Sequence, residues 1–167
     1  LNRHVSALVL FTSWRQLNAV ISGLPKTLAE GLLVQGEGSK QALLQEHRQR
    51  IDEGKSSYLF GVASFSEGLD LPGEYCRHVV IVKLPFSVPD DPVDQAIAEW
   101  AEAQGRNSFY EISVPDVSLR LVQACGRLIR SEKDYGTISM LDKRIVTQRY
   151  GRALIESLPP FRLDLPA

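Results

Sequence analysis

The chain has 167 residues, of which 44% are apolar, and its formal net charge is −1. The apolar content excludes a disordered chain, and the length predicts a single domain over residues 1–167. The near-zero net charge argues against a histone-like protein that binds nucleic acid through bulk charge, although it leaves room for local basic patches.

Short apolar runs alternate with stretches in which apolar residues recur at helical spacing. In chain order the pattern predicts a strand at 6–11, a helix at 12–24, a strand at 31–36, a helix at 39–54, strands at 56–64 and 78–86, helices at 91–105 and 115–130, a strand at 136–142 and a helix at 146–160. The strands lack a two-residue alternation, which is typical of strands buried on both faces. We therefore predict an α/β fold with a mostly parallel sheet and helices on both faces.

Charge is segregated along the chain. Residues 87–116 hold seven acids and one base, whereas residues 120–152 hold eight bases and three acids. This segregation predicts a basic surface on a nearly neutral chain, and its simpler interpretation is a pair of solvated faces. The proline-rich acidic stretch 84–94 is predicted to be a rigid surface loop.

The stretch QACGRLIR (123–130) is the first candidate site. As a helix it places Arg120, Gln123, Arg127 and Arg130 on one face, at spacings of three, four and three. Arginine suits phosphate because its planar fork donates two parallel hydrogen bonds. On a transferring phosphate one arginine contributes roughly 10³–10⁵ in rate. The alternative is a basic helix face that pairs with the acidic segment before it.

The stretch ASFSEGLDLPG (63–73) is the second candidate, because it follows a predicted strand and ligands of open parallel sheets lie beyond the carboxyl ends of strands. Glu67 and Asp70 lie there between Gly68 and Gly73, and glycine permits a close backbone approach or a positive φ. The acids could bind a ribose hydroxyl, a water or an arginine. The alternative is an ordinary turn with solvated acids.

The third candidate is VLFTSW (9–14), where Thr12 and Ser13 stand between a strand and a helix. Free backbone N–H groups and hydroxyls at a helix start can bind an anion, and the alternative is simple helix capping. The chain contains no GxxxxGK[ST] phosphate loop and no DExH or DExD tetrapeptide. Arginines without a phosphate loop would form half of a polyphosphate site.

These three stretches, in this order, resemble the second motor domain of superfamily 2 helicases. QACGRLIR matches the Q-x-x-G-R-x-x-R pattern of helicase motif VI, SFSEGLDLPG (64–73) resembles motif V of the XPD-like branch, and VLFTSW resembles motif IV. The chain is most similar to DinG-type bacterial helicases, in which LPF, GRLIRS, DKR and a closing YG helix recur. The resemblance runs from about residue 8 to residue 160. It implies a RecA-like α/β domain that closes on a first RecA-like domain, with ATP between them and single-stranded DNA across both.

The resemblance also implies site residues by matching position. Arg127 and Arg130 would face the ATP phosphates, with Arg130 the better candidate for an arginine finger. The other positions implied at the nucleotide cleft, or in coupling it to DNA, are Gln123, Gly126, Glu67, Gly68 and Asp70. The positions implied to lie toward the DNA strand are Thr12, Ser13, Ser64 and Phe65.

The remaining expectations concern partners and cofactors. ATP and Mg²⁺ would be bound mainly by the first domain, which would also carry any iron–sulfur cluster of this branch. The chain starts at Leu1, and we expect it to be a fragment of a longer protein that works as a monomer. Cys76 and Cys125 form no CxxC pair and fit a reducing cytoplasm, with Cys125 in the core. No run of about 18 apolar residues predicts a membrane span.

Two other interpretations remain open from the residues alone. A RecA-like module without catalysis, which binds nucleic acid or protein, would use Arg127 and Arg130 for docking only. An unrelated α/β enzyme would bind a small anion at residues 66–73 and would hold a complete pocket. If the helicase interpretation holds, this chain alone hydrolyses ATP negligibly, because it supplies one wall of the site.

Overall fold

A computed structural model of the chain describes residues 5–86, 92–128 and 134–165. Five strands form one sheet in the order β2-β3-β1-β4-β5, and all its neighbouring strands run parallel. The strands are β1 (Ser6–Phe11), β2 (Leu32–Val34), β3 (Ser57–Val62), β4 (His78–Ile81) and β5 (Thr137–Met140). The predicted parallel α/β fold is confirmed.

Helices connect these strands. They are α1 (Trp14–Ser22), α2 (Lys26–Ala29), α3 (Lys40–Asp52), α4 (Pro92–Ala103), α5 (Val114–Cys125), α6 (Arg144–Thr147) and α7 (Arg149–Glu156). The short helices α2 and α6 and a π-helical turn at Phe109–Ser113 were not predicted. The proline-rich surface loop predicted at 84–94 includes residues 87–91, which lie outside the described residues.

The chain divides into two compact units. The first unit comprises Leu1–Lys83 and Ala124–Leu141, and the second comprises Leu84–Gln123 and Asp142–Ala167. All five strands belong to the first unit.

Helices cover both faces of the sheet in the first unit. On one face Leu17 of α1 packs against Val9, Phe11 and Phe60, and all four are buried. On the other face His47 of α3 hydrogen-bonds through Nδ1 to Ser57 Oγ at 2.8 Å. Successive residues of a strand point to opposite faces, so Ser57 and Phe60 lie on opposite sides of β3.

The second unit has its own core. The rings of Phe86, Phe109 and Tyr150 pack together with centroids 5.4–5.5 Å apart. Beside them the Asp142 carboxylate accepts the Leu84 N–H at 3.0 Å and the Arg144 guanidinium at 2.6 Å. Burial acts to raise the pKa of Asp142, but these hydrogen bonds outweigh it and hold the pKa at about 2.

Both cysteines are free and buried, Cys76 at 1% exposure and Cys125 at 0%. Burial raises the pKa of the Cys125 thiol to about 11, so it stays protonated and acts as a small apolar core residue. Within the described parts of the chain, no helix has the length and apolar character needed to span a membrane.

Candidate functional site

The loop that follows β3 alternates exposed acids with buried leucines. We call residues 67–73 the acidic loop. Glu67 and Asp70 are exposed, whereas Leu69 and Leu71 are 1% and 2% exposed. Gly68 and Gly73 have positive φ of 68° and 58°, a conformation that glycine adopts without strain. The leucines therefore anchor the loop and leave its two acidic residues at the surface.

Three cationic side chains hold the backbone carbonyls of the acidic loop. Lys40 Nζ donates to the Glu67 carbonyl, and Arg48 Nη2 donates to the Asp70 carbonyl at 2.5 Å. Arg127 Nη1 donates to the Leu69 carbonyl at 3.0 Å. Lys40 and Arg48 both come from α3, so this helix holds the first residue and the centre of the acidic loop, and Arg127 holds Leu69 between them. Sequence reasoning missed both α3 residues.

A buried histidine fixes the turn after the acidic loop. His47 Nε2 lies 2.7 Å from the Tyr75 carbonyl and Nδ1 lies 2.8 Å from Ser57 Oγ. With Nε2 protonated and Nδ1 accepting the serine hydroxyl, both contacts are satisfied by a neutral ring. Burial lowers the pKa of His47, and the nearby Arg48 and Arg50 add to this effect.

Arg127 lies in a hydrogen-bonded turn, residues 126–128, that we call the arginine turn. Its N–H donates to the Ala124 carbonyl at 3.1 Å, and the preceding Gly126 is exposed. The side chain is half-buried, and its Nε is buried without a hydrogen-bond partner. A buried N–H of a permanent cation without an acceptor is costly, and an anionic group can satisfy it.

The predicted helical arginine face is wrong in its extent. Helix α5 ends at Cys125, so Arg127 lies beyond it in the arginine turn. Asp116 lies on the helix, as predicted, and Arg120 Nε donates to that carboxylate at 2.8 Å. Arg120 thus follows the alternative interpretation, in which the basic face pairs with preceding acids. Gln123 is exposed on α5, and Arg130 lies outside the described residues.

Thr12, Ser13 and Ser64 lie at the carboxyl edge of the sheet. Strands β1 and β3 are parallel neighbours that end at the paired residues Phe11 and Val62, which brings the segments after them to the same edge. Thr12 and Ser13 are exposed, and Ser64 is exposed in the turn that follows β3. Ser13 Oγ accepts the Gln16 N–H at 3.3 Å, so Ser13 caps α1.

Phe65 is placed differently from the expectation that it lies toward a DNA strand. Its ring is 4% exposed and packs back onto β3. A Cβ at Gly61 would lie 2.5 Å from Phe65 Cδ1, so the ring occupies the space that a side chain would need. Lys40 Nζ lies 5.5 Å from the ring centroid. Phe65 therefore anchors the start of the acidic loop and offers no free ring face.

Gln35 is a further residue that the sequence did not reveal. It follows β2 at the same carboxyl edge, where its N–H donates to the Phe60 carbonyl at 2.8 Å. Its side-chain Oε1 accepts the Val62 N–H, also at 2.8 Å. Gln35 thereby extends the pairing of β2 with β3 to Val62, the last residue of β3.

The donor set of the described residues suits an anion rather than a metal. No group of three or more His, Cys, Asp or Glu residues that could hold a metal ion occurs among them. The unpartnered Nε of Arg127 fits a phosphate oxygen, which accepts hydrogen bonds from a guanidinium. Two separate buried thiols do not fit an iron–sulfur cluster, which takes four cysteine ligands.

The fold and the motif order define a motor domain of the RecA-like α/β class. The helicase C-terminal domain family matches residues 2–161. The chain therefore belongs to that family, and the resemblance to the C-terminal domain of DinG-type, XPD-like helicases is confirmed. Membership in this family excludes the unrelated α/β enzyme.

Two curated relatives illustrate the similarity. The chain is 48% identical over 165 residues to the ATP-dependent DNA helicase DinG of Photobacterium profundum, covering 97% of this chain and 24% of the relative. It is 38% identical over 164 residues to the protein of the same name from Escherichia coli, covering 98% of this chain and 23% of the relative. The chain thus spans about a quarter of the length of these relatives.

Solved structures share the fold. A structure of apo XPD matches with a TM-score of 0.69 and 22% identity over 91% of this chain and 31% of that chain. An XPD helicase structure matches with a TM-score of 0.67 and 23% identity over 90% and 27%. At these identities the likeness shows the fold alone, and it confirms the RecA-like class.

Proposed function

We propose that this chain is the second motor domain of an ATP-dependent DNA helicase and supplies one wall of its ATP site. Family membership supports a helicase motor domain, and the relatives named above are ATP-dependent DNA helicases. The observation that carries the proposal is the contact of Arg127 with the Leu69 carbonyl. It joins the arginine turn to the acidic loop, which correspond to the two most specific motifs in the sequence.

Arg127 and Arg130 act on the phosphates of ATP in this proposal. When ATP is bound, its terminal phosphate is the group transferred to water. The Arg127 guanidinium has a buried N–H without an acceptor, and a phosphate oxygen would supply one. Arg130, three residues further on, is the proposed arginine finger. Gln123 and Gly126, both exposed, are assigned to the same nucleotide by the motif they belong to.

The acidic loop links the arginine turn to the DNA edge. Arg127 contacts the loop at Leu69, so a movement of Arg127 toward a phosphate releases that carbonyl. Glu67 and Asp70 lie exposed on either side, where groups of the first motor domain can reach them. Gly68 permits the turn between them through its positive φ. Nucleotide binding is thereby coupled to the segment that begins at Ser64.

Single-stranded DNA crosses the carboxyl edge of the sheet in this proposal. Thr12, Ser13 and Ser64 lie at that edge and offer hydroxyl and backbone donors to phosphate oxygens. Phe65, which is buried, contributes by holding the acidic loop in place. Contacts of this kind are tolerant of base sequence and sensitive to salt.

The first RecA-like domain of the longer chain completes the site. We assign to it the phosphate loop, the ligands of Mg²⁺ and any iron–sulfur cluster, because the described residues contain no candidate metal-binding group. One domain pair per ATP site makes a monomer sufficient for activity. The free thiols of Cys76 and Cys125 suit a cytoplasmic location.

The proposal is tested with the full-length protein by measuring DNA-stimulated ATP hydrolysis and ATP binding in parallel. Arg130→Ala should lower kcat by about two decades or more while ATP binding is largely retained. Arg152→Ala is the matched control, because Arg152 pairs with Glu156 on the exposed face of α7 and its removal should leave the rate unchanged. An unchanged rate in Arg130→Ala would favour the binding module, in which these arginines serve docking alone.

A further inference from the structure

One exposed tryptophan lies at the carboxyl edge of the sheet. Trp14 is the first residue of α1, directly after Thr12 and Ser13, and its side chain is 46% exposed. The large apolar area of an indole is usually removed from water, so an exposed one at a binding edge is a candidate contact for a ligand.

The indole reaches across the end of the neighbouring strand. Trp14 Cη2 lies 3.7 Å from the position that a Cβ would take on Gly36, in the segment after β2. Strand β3 lies between β1 and β2 in the sheet, so the ring spans the end of β3. Gly36 has no side chain that could cover the ring, and Trp14 is 46% exposed.

Other aromatic residues of the first unit do not offer a ring at this edge. Phe65, Phe11 and Phe60 are buried at 4%, 1% and 7% exposure. Tyr135 is exposed, but it precedes β5 and therefore lies at the opposite, amino edge of the parallel sheet. Among the described residues of that unit, Trp14 is the exposed aromatic at the carboxyl edge.

The charges near Trp14 favour a base over a phosphate at the ring itself. Exposed Glu37 follows Gly36, and a carboxylate repels a phosphate. Arg15, the next residue along α1, is exposed, and the first turn of α1 contains no acid. An uncharged base over the indole with a phosphate at Arg15 satisfies both groups.

We propose that Trp14 is a base-stacking residue that holds one nucleobase of the single-stranded DNA. This inference rests on the proposed function and adds to it a base contact that the predicted residues do not provide. Aromatic stacking does not depend on base identity, because every base has a π-face. Trp14 thus takes the place that the sequence assigned to the ring of Phe65.

The test uses the full-length protein and fluorescence anisotropy with two labelled oligonucleotides of equal length. One is an oligothymidylate and the other carries abasic sites instead of bases. Trp14→Leu should weaken binding of the oligothymidylate roughly 5- to 100-fold and leave binding of the abasic strand unchanged. Trp14→Phe, which keeps a smaller ring, should lose less affinity for the oligothymidylate than Trp14→Leu.

Two control variants separate stacking from other effects. Trp100→Leu removes an indole of similar exposure, on α4, and should leave both affinities unchanged. Arg15→Ala should reduce the slope of log affinity against log salt by about one, whereas Trp14→Leu should not change that slope.

Each outcome decides the inference. A selective loss on the oligothymidylate supports stacking at Trp14. An equal loss on both strands, or no loss on either, overturns it while leaving the helicase proposal intact. Failure of the wild-type protein to bind either strand overturns the proposed function and this inference together.

Discussion

Two arginines lie in stretches that resemble DinG-type helicases, Arg144 in DKR and Arg127 in QACGRLIR, and their environments differ. Arg144, after β5, pairs with Asp142 at 2.6 Å, and that carboxylate is 8% exposed. Arg127, in the arginine turn, contacts the Leu69 carbonyl and keeps a buried Nε without a partner. The first arginine has its counter-charge within the chain, whereas the second hydrogen-bonds to a neutral carbonyl and is suited to receive a counter-charge from a ligand.

The contrast teaches that motif resemblance alone does not separate structural from functional residues. The DKR and YG stretches carry Asp142, Arg144, Tyr150 and Gly151, which pack within the second unit. A Cβ at Gly151 would lie 2.0 Å from the Ile145 carbonyl oxygen, so its glycine serves close packing. Among the described residues, Arg48 and Arg127 each keep a buried Nε without a hydrogen-bond partner. We assign chemistry to the stretch of Arg127, because it also carries the Q-x-x-G-R-x-x-R pattern.

The largest expected effect comes from removing the side chain of Arg127. Arg127→Ala should lower DNA-stimulated kcat of the full-length protein by about 100-fold or more, because a charged contact to the transferring phosphate is lost. Its melting temperature should change little, since one hydrogen bond to a carbonyl is removed. Steady-state kinetics and thermal unfolding on the same samples check this. A loss of stability without a loss of kcat would place Arg127 in the same class as Arg144.

The reverse pattern is expected for the satisfied pair. Asp142→Asn keeps the shape but removes the charge that Arg144 and the Leu84 N–H depend on. We expect the free energy of unfolding to fall by about 1–3 kcal/mol, measured by denaturant titration. The kcat of the folded fraction should stay within about twofold of wild type. A kcat defect of the Arg127→Ala size would contradict the comparison.

A third variant tests whether the anchor of the acidic loop matters. Gly61→Ala places a methyl group 2.5 Å from the ring of Phe65, and such overpacking costs about 1–3 kcal/mol of stability. The displaced ring should also raise the DNA concentration needed for half-maximal ATP hydrolysis. Gly23→Ala is the matched control, because its new Cβ meets the Val20 carbonyl oxygen at an ordinary 3.7 Å.

The pH dependence of stability should report on two groups, His47 and Asp142, in different pH ranges. The pKa of His47 is lowered from 6.5, so below that pH its side chain is protonated in the unfolded chain and remains neutral in the native state. Through His47 the free energy of unfolding should therefore fall as pH drops below 6.5, by at most about 1.4 kcal/mol per pH unit. The pKa of Asp142 is lowered from 3.8 to about 2, so its contribution to the free energy of unfolding is lost as pH falls from 3.8 to about 2. Burial also lowers the pKa of His78, so the His47→Gln variant should show a smaller first decline than the wild type, and an unchanged decline would refute the assignment.

The smallest effect is expected at the exposed pair on α5. Arg120 donates to Asp116 four residues earlier, and the two side chains are 45% and 35% exposed. Arg120→Ala should change stability by less than about 0.5 kcal/mol and kcat by less than about twofold. A rate loss close to that of Arg127→Ala would show that the whole predicted arginine face faces the nucleotide.

Local signals in the sequence sufficed for most of the fold. Ser39 and Ser13 cap α3 and α1, and Gly54 follows α3 with a positive φ of 72°. These features depend on neighbouring residues, which sequence patterns record. The end of α5 at Cys125 was not predicted, because a basic stretch with helical spacing continues beyond it without a proline.

The site was predictable only in part, for a physical reason. The exposed acids of the acidic loop and its glycines were visible in the sequence. Lys40 and Arg48 were not, because they reach carbonyls 27 and 22 residues away through long side chains. The burial of Phe65 was hidden as well, since it depends on the empty face of Gly61 in the neighbouring strand segment. The contacts of Lys40 and Arg48 follow from tertiary packing and leave no local spacing in the sequence.

The late position of β5 in the chain has a consequence for synthesis on the ribosome. The first four strands are complete by Ile81, whereas β5 begins only at Thr137. At about 5–20 residues per second, translation leaves β4 as an open edge for on the order of several seconds. An open edge presents unpaired N–H and C=O groups to other chains. Nascent chains on neighbouring ribosomes of one mRNA can therefore pair with each other through β4 until β5 covers that edge.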